Sequence, residues 1–261
     1  MTAATVTMAG ERQRLDIGKV FSETFRLFGR NLRPLLMGSA VLVAAPQLAV
    51  GFVQWNGARE MREGIFTTGP TALVGALAAI LFGILNLWFQ GGVNRFINDD
   101  LLGRKANLVG DILETGGVLH IMIGAAILMV MGCGLASILL LVPGVILGLA
   151  WSVAVPVVAI EQAGVIKALN RSLYLTRGHR WSIFLLGLIF YATILLISGL
   201  VVAVTGGMAG GTTNPWRLMV FQPLLGLIGS PLSAVGFAVL YRQLLTVREG
   251  LGTTGTADVF A

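Results

Sequence analysis

A chain of 261 residues that is 56% hydrophobic and 11% charged, with a mean hydropathy of +0.85, stands far from the roughly 25% charge of soluble domains. The composition is that of a membrane protein, and no nucleic-acid partner is expected of it. A single cysteine, Cys133, excludes a disulfide within the chain, and with His120 and His179 as the only histidines a histidine-rich metal site is excluded, so neither metal nor cofactor is expected.

The first 33 residues carry six Arg and Lys and no uninterrupted apolar core, which argues against a cleaved secretory signal. Within them, "LDIGKVFSETFRLFGRNLRPLL" sets Ile17, Val20, Phe21, Phe25, Phe28 and Leu32 at helical spacing, with Lys19, Glu23, Arg26, Arg30 and Arg33 on the other side. This pattern predicts a basic amphipathic helix over about 15–33 that lies in the headgroup region; a soluble linker helix is the alternative. Apolar runs follow at about 35–53, 71–93, 118–142, 144–160, 181–204 and 218–241. From Val118 to Ile160 the only potentially charged group is His120, and 43 helical residues would reach about 64 Å, twice a bilayer. The run must therefore fold back, and Pro143-Gly144 is the expected turn.

The amphipathic grammar recurs at about 106–117 ("ANLVGDILETGGVLHIMIG", acidic at Asp111 and Glu114) and at about 162–180 ("AGVIKALNRSLYLTRGHRWSIFLLG"). The expected fold is a single polytopic all-α membrane domain over 1–261: six transmembrane helices as three hairpins, each preceded by an amphipathic cytoplasmic surface helix, with a flexible tail over 250–261. Fifteen of the 18 Lys and Arg then fall on one side, leaving Arg59, Arg62 and Arg217 on the other, which predicts cytoplasmic N- and C-termini. Trp55, Trp88, Trp181 and Trp216 sit near span ends, whereas Trp151 is mid-span and reads as a packing residue. The glycine-rich "TGGMAGGTTNPW" reads as a flexible outer loop.

Small residues recur every fourth position in three spans, at Gly75, Ala79 and Gly83, at Gly144, Gly148 and Ser152, and at Gly226, Ser230, Ala234 and Ala238, which marks faces for close helix approach. Pro46, Pro156, Pro223 and Pro231 fall inside spans and predict kinks or local unwinding, with the last span the one expected to break; a packed kink and a transport hinge both remain open. The polar residues at depth, Gln47, Asn86, Gln90, Ser137, Gln222 and Ser230, carry no charge, which argues against an ion-coupled pump. No paired carboxylates, activated nucleophile or phosphate-cradling loop appears, so no catalytic residue is assigned and the chain is not expected to be an enzyme.

Glu161 closes the fourth span beside the third basic segment, and either an ion pair to Arg177 or Arg180 or a solvated helix-end acid is expected there. Around it, "PGVILGLAWSVAVPVVAIEQAGVIKALNRSLYLTRGHRWSIF" and the closing "LYRQLLTVREG" resemble the membrane domain attached to some bacterial glycerophosphoryl diester phosphodiesterases and its free-standing relatives. The shared pattern is the Pro-Gly turn, Glu161, Ala168-Leu169, Arg171-Ser172, Leu175-Thr176, Gly178-His179, Tyr241 and Arg248-Glu249-Gly250. In those enzymes hydrolysis belongs to a separate soluble barrel whose acidic metal ligands and histidines have no counterpart here, so the resemblance implies the bundle without the enzyme.

The favoured expectation is a bacterial inner-membrane protein that engages anionic phospholipid headgroups or a membrane-protein partner. Its candidate cluster is Glu161, Arg171, Arg177, His179 and Arg180 together with Arg26, Arg30 and Arg33. A transporter or flippase for a lipid-like or amphipathic substrate is the alternative, and phosphodiesterase activity the remotest reading; oligomeric state is not legible.

Overall fold

The computed structural model describes residues 15–62, 69–204 and 220–250, and over these every regular element is helical. Arg12, Arg14, Trp216, Arg217, the glycine-rich segment at 205–216 and the tail at 251–261 lie outside the described residues. The helices are α1 (Ile17–Arg30), α2 (Leu32–Ser39), a π-helical stretch (Ala40–Ala44), α3 (Ala45–Arg62), α4 (Pro70–Leu101), α5 (Leu108–Gly116), α6 (Leu119–Leu139), α7 (Leu141–Ala150), α8 (Ala154–Glu161), α9 (Val165–Thr176), α10 (Arg180–Val204) and α11 (Gln222–Glu249). Their ends follow local chemistry. Asp16 caps α1 by accepting from Lys19 N at 3.1 Å, Pro70 opens α4 where a missing N–H costs nothing, and Gly250 closes α11 with φ +66°.

Five stretches are long and apolar enough to cross a membrane: Leu32–Gly57, Thr71–Leu101, Leu119–Ile138, Val142–Glu161 and Gln222–Glu249. Only 6% of the apolar window of α4 is buried within the chain, and Leu73, Val74, Leu77, Ile80 and Leu81 all face outward. Water would not tolerate such a surface, and lipid covers it at no cost. The chain is a multi-pass helical membrane protein. The fifth expected span corresponds to α10, whose sequence carries no charged residue after Arg180.

The buried core gathers at one end. Phe89, Val93 and Ile97 of α4 share one buried cluster with Val157 and Val158 of α8, Tyr241 and Leu244 of α11, and buried residues of α1, α5 and α9. On α4 the closest approach is at Gly91 and Gly92, which lie against Met122, Thr115 and the backbone of Ile112, where no side chain fits. The seam expected earlier in this helix is only partly engaged: Gly75 meets Val53, but Gly83 has nothing within 4 Å. The other two seams are packed, Gly144 on Ser137, Gly226 on Val43 and Gln47, and Ala234 and Ala238 fully enclosed.

The prolines act differently from the expectation that the last span would break. α11 runs unbroken through Pro231. Pro231 cannot bond the carbonyl four residues back, that of Leu227, and Ser39 Oγ of α2 donates to that oxygen at 2.7 Å instead. The break falls in the fourth span, at Trp151–Val153 between α7 and α8. Pro156 leaves the Ser152 carbonyl without a helical donor, and the helix resumes with Val157 N to Val153 O at 3.1 Å. Trp151 itself packs against Gly132. In the first span, the π-helical stretch ends two residues before Pro46 and contains Leu42, the residue four back. The turn between the third and fourth spans comes at Leu140, which is extended (φ −158°, ψ 133°), three residues before Pro143, so that Pro143 occupies the first turn of α7 where it is tolerated.

Ser39→Ala leaves the Leu227 carbonyl unpaired between packed helices and is expected to lower unfolding free energy by about 1–2 kcal/mol. Ser22→Ala, which removes only an exposed bond to the Lys19 carbonyl, should change nothing measurable in the same detergent unfolding assay.

Candidate functional site

The Glu161 carboxylate lies where α8 ends, and Gln162 follows with φ +52°, the only positive φ at a non-glycine among the described residues. That left-handed step turns the chain sharply into α9 and brings Arg171 back over Glu161. Arg171 Nε donates to Glu161 Oε1 at 3.1 Å, Arg171 Nη1 pairs with Glu249 at the end of α11, and the Tyr241 hydroxyl donates to Glu161 Oε1 at 2.7 Å. Three helices are thereby joined by one guanidinium. Its two carboxylate partners, Glu249 before Glu161, hold Arg171 above the usual arginine range, against the opposing effect of burial.

The pair expected from Glu161 to Arg177 or Arg180 does not form; Arg171 takes that place, because it lies on the inner face of α9 while Arg177 caps its end. The Arg177 carbonyl accepts from Arg248 Nη2, and Arg248 also sits 5.4 Å from the ring centre of Tyr174. Gly178, at φ +89°, and His179, whose N–H donates to the Thr176 carbonyl at 3.1 Å, make the turn into α10. Arg180 opens α10, with Nε buried and without a hydrogen-bond partner among the described residues. Ser172 Oγ and Thr176 Oγ1 both donate to the Ala150 carbonyl, at 2.8 and 3.1 Å, the oxygen exposed by the break between α7 and α8.

The other amphipathic helices are tied down in the same manner. Arg30 of α1 pairs with Asp100 at the end of α4, where Asn31 Nδ2 also donates at 3.1 Å, and the carboxylate holds Arg30 above its ordinary range. On α5 the polarity is reversed: Glu114 pairs with Arg95 of α4, and Trp88 Nε1 donates to the Ile112 carbonyl at 2.6 Å. Arg26 pairs within α1 with Glu23 at 3.0 Å, and Arg33 is exposed. The structure thus gathers Glu161 and Arg171 into one network, places Arg30 in a second, and leaves Arg26 and Arg33 apart from both. Sequence reading missed the roles of Glu249, Tyr241 and Asp100. A signal was present, since the second, fourth and sixth apolar runs each lead to an acid, at Asp99-Asp100, Glu161 and Glu249.

Beside this network, α4 and the segment after it, α8 and α11 border an open polar cavity of about 310 Å³ lined by Arg95, Asn98, Asp99, Arg104, Tyr241 and Arg242, with Leu102 and Ile160. Asp111 of α5 is buried nearby; desolvation, with repulsion from Asp99, pushes its carboxyl up while Arg95 pulls it down. Among the described residues no cluster of His, Cys, Asp and Glu suits a metal ion.

These elements define a polytopic helical membrane protein with a charged, cavity-bearing end. A family model described as a domain of unknown function, DUF7847, matches residues 15–247, and the chain belongs to that family. No curated protein and no solved structure matches it.

Two outcomes follow from the geometry. Arg171→Gln removes charged hydrogen bonds to two carboxylates and is expected to lower stability by about 2 kcal/mol, with Arg171→Lys recovering only part of it, as read by thermal unfolding. For Asp111 the folded state favours the protonated acid, so its contribution is full below the ordinary carboxylate range near pH 4 and is lost as pH rises through the elevated value. Asp111→Asn should therefore raise the unfolding temperature at neutral pH, and the gain should vanish in acid below about pH 4.

Proposed function

We propose that the protein is a non-enzymatic, multi-pass protein of the bacterial inner membrane whose cytoplasmic face engages anionic phospholipid headgroups. In this reading six helices span, with α10 as the fifth, its 25 residues reaching about 37 Å. The three amphipathic helices α1, α5 and α9 then lie at the cytoplasmic surface, one before each hairpin, and both termini are cytoplasmic.

One observation carries the reading: each amphipathic helix has apolar residues on its outer face as well as its inner one. α5 buries Asp111 while leaving Val109 and Leu113 about two-thirds exposed, at 66% and 65%. In water that arrangement is inverted, since burying a carboxylate and exposing aliphatic side chains both cost free energy. At a bilayer interface it is favourable. Phe25 on α1 and Ile166 and Tyr174 on α9 are likewise exposed, next to Arg26 and Lys167. Apolar groups dipping below the headgroups with basic groups among them are what an interfacial helix presents to anionic lipid. The resemblance to phosphodiesterase membrane domains supports the same setting. The transporter reading has less behind it. Gln90 Nε2 donates to Asn86 Oδ1 at 2.6 Å and Asn86 Nδ2 to Ser230 Oγ at 3.2 Å, so these polar groups at depth serve helix contact.

Native mass spectrometry of the protein released from mixed bilayers should find phosphatidylglycerol retained over phosphatidylcholine. Equal retention of both, unchanged when Arg26, Arg33, Arg177 and Arg180 are replaced by Gln, would overturn the reading.

A further inference from the structure

The cavity between α4, α8 and α11 holds more positive charge than its surroundings use. Arg95 is committed, with Nη2 on Glu114 and Nη1 directed to the Ala159 carbonyl at 3.4 Å. Arg104 keeps a single acidic neighbour, Asp99, at 3.6 Å, beyond hydrogen-bond distance, and 69% of its side chain is exposed. Arg242, half-buried on α11, makes no ion pair or hydrogen bond through its guanidinium with any described residue. A guanidinium partly shielded from water and without a protein acceptor is a ready partner for an anion, and here a second one lines the same space. The carbonyl ends of α4 and α8 account for Arg95, which reaches Ala159, but not for Arg242, which projects from within α11.

We propose that this cavity binds an anionic phosphate ester, held by Arg104 and Arg242. The inference rests on the reading that the protein engages anionic phospholipid, and gives that contact a place and a chemistry. Guanidinium groups recognise phosphate oxygens through paired N–H donors, and a phosphate here supplies the acceptors that Arg242 lacks and that Arg104 has only at ion-pair distance in Asp99. At about 310 Å³ the cavity lies at the small end of the range for ligand sites, fitting a phosphate with a small ester substituent. Asp99, on the same wall, provides an acceptor for a hydroxyl on that substituent. Tyr241 also lines the cavity while donating to Glu161, so an occupant sits directly against the network that holds α9.

The test uses the full chain in nanodiscs. One arm titrates phosphatidylglycerol into phosphatidylcholine discs; the other adds inorganic phosphate or glycerol phosphate to discs of phosphatidylcholine alone, with unfolding temperature and lipid retention as readouts. The R104Q/R242Q variant is expected to lose roughly thirtyfold in apparent affinity, about fivefold for each basic group. R104K/R242K, which keeps the charge but not the paired donors, should recover only part of the binding, and R26Q/R33Q should leave the cavity-dependent part intact. R104Q alone, whose side chain is mostly exposed, should lose about fivefold and carries the test where the double variant does not fold. A dependence on Arg104 and Arg242 in the first arm assigns the ester to lipid, and in the second arm alone to a soluble phosphate. In that second case the site stands and the phospholipid reading falls. A preference for anionic lipid that disappears in R26Q/R33Q but survives in R104Q/R242Q keeps the phospholipid reading and overturns the site. No response to the double variant in either arm also overturns it.

Discussion

Every carbonyl that loses its helical donor inside a bilayer has to find another donor from protein, because no water is there to supply one. Much of this structure follows from that constraint. Pro231 frees the Leu227 carbonyl, and Ser39 of α2 reaches it. The break between α7 and α8 frees the Ala150 carbonyl, and Ser172 and Thr176 of α9 both reach it. In each case a backbone defect in a spanning helix fixes the position of a neighbouring element, so the irregularities act as attachment points. An unbroken fourth span would offer α9 no carbonyl to bind.

Charge does for the helix ends what the hydroxyls do within the bundle. Arg171 gathers the ends of α8 and α11, Arg30 the end of α4, and Glu114 reaches Arg95 from the other side of that helix. In each pair at least one partner is largely shielded, and at this polar end desolvation is modest while the Coulomb attraction is less screened than at an open surface. The basic clusters evident in the sequence therefore divide by use. Arg30 and Arg171 hold helices in place, Arg26 neutralises Glu23 within its own turn, and Arg242 is left facing a cavity with no carboxylate of its own.

The extent to which the site was legible depends on range. The segment from Arg171 to His179 stood out by its spacing, and each pair now has a physical reason. Arg171 and Ser172 face a carboxylate and a carbonyl, Thr176 meets the same carbonyl one turn later, and Gly178 supplies a backbone angle that other residues resist. What the spacing lacked was the partner. Glu161 to Arg171 spans ten residues around a left-handed step, and Arg171 to Glu249 spans 78. No periodicity links positions that far apart. The small-residue seams show the same limit: the repeat at Gly75, Ala79 and Gly83 is regular, yet the tightest contact of α4 is at the adjacent pair Gly91-Gly92, where α5 crosses it.

Composition and apolar run length alone determined that this is a helical multi-pass membrane protein, because transfer of 20-residue apolar segments from water is a sum of local terms that needs no knowledge of neighbours. The three amphipathic segments were equally local, each a pattern within a few turns. Tertiary structure alone decided which proline breaks its helix and which is repaired, since that depends on whether another helix brings a hydroxyl to the freed carbonyl. It also decided which arginines find a carboxylate, and that Arg242 faces the cavity without one. Charge on a chain is additive, whereas pairing requires two groups within about 4 Å, and only packing sets that distance.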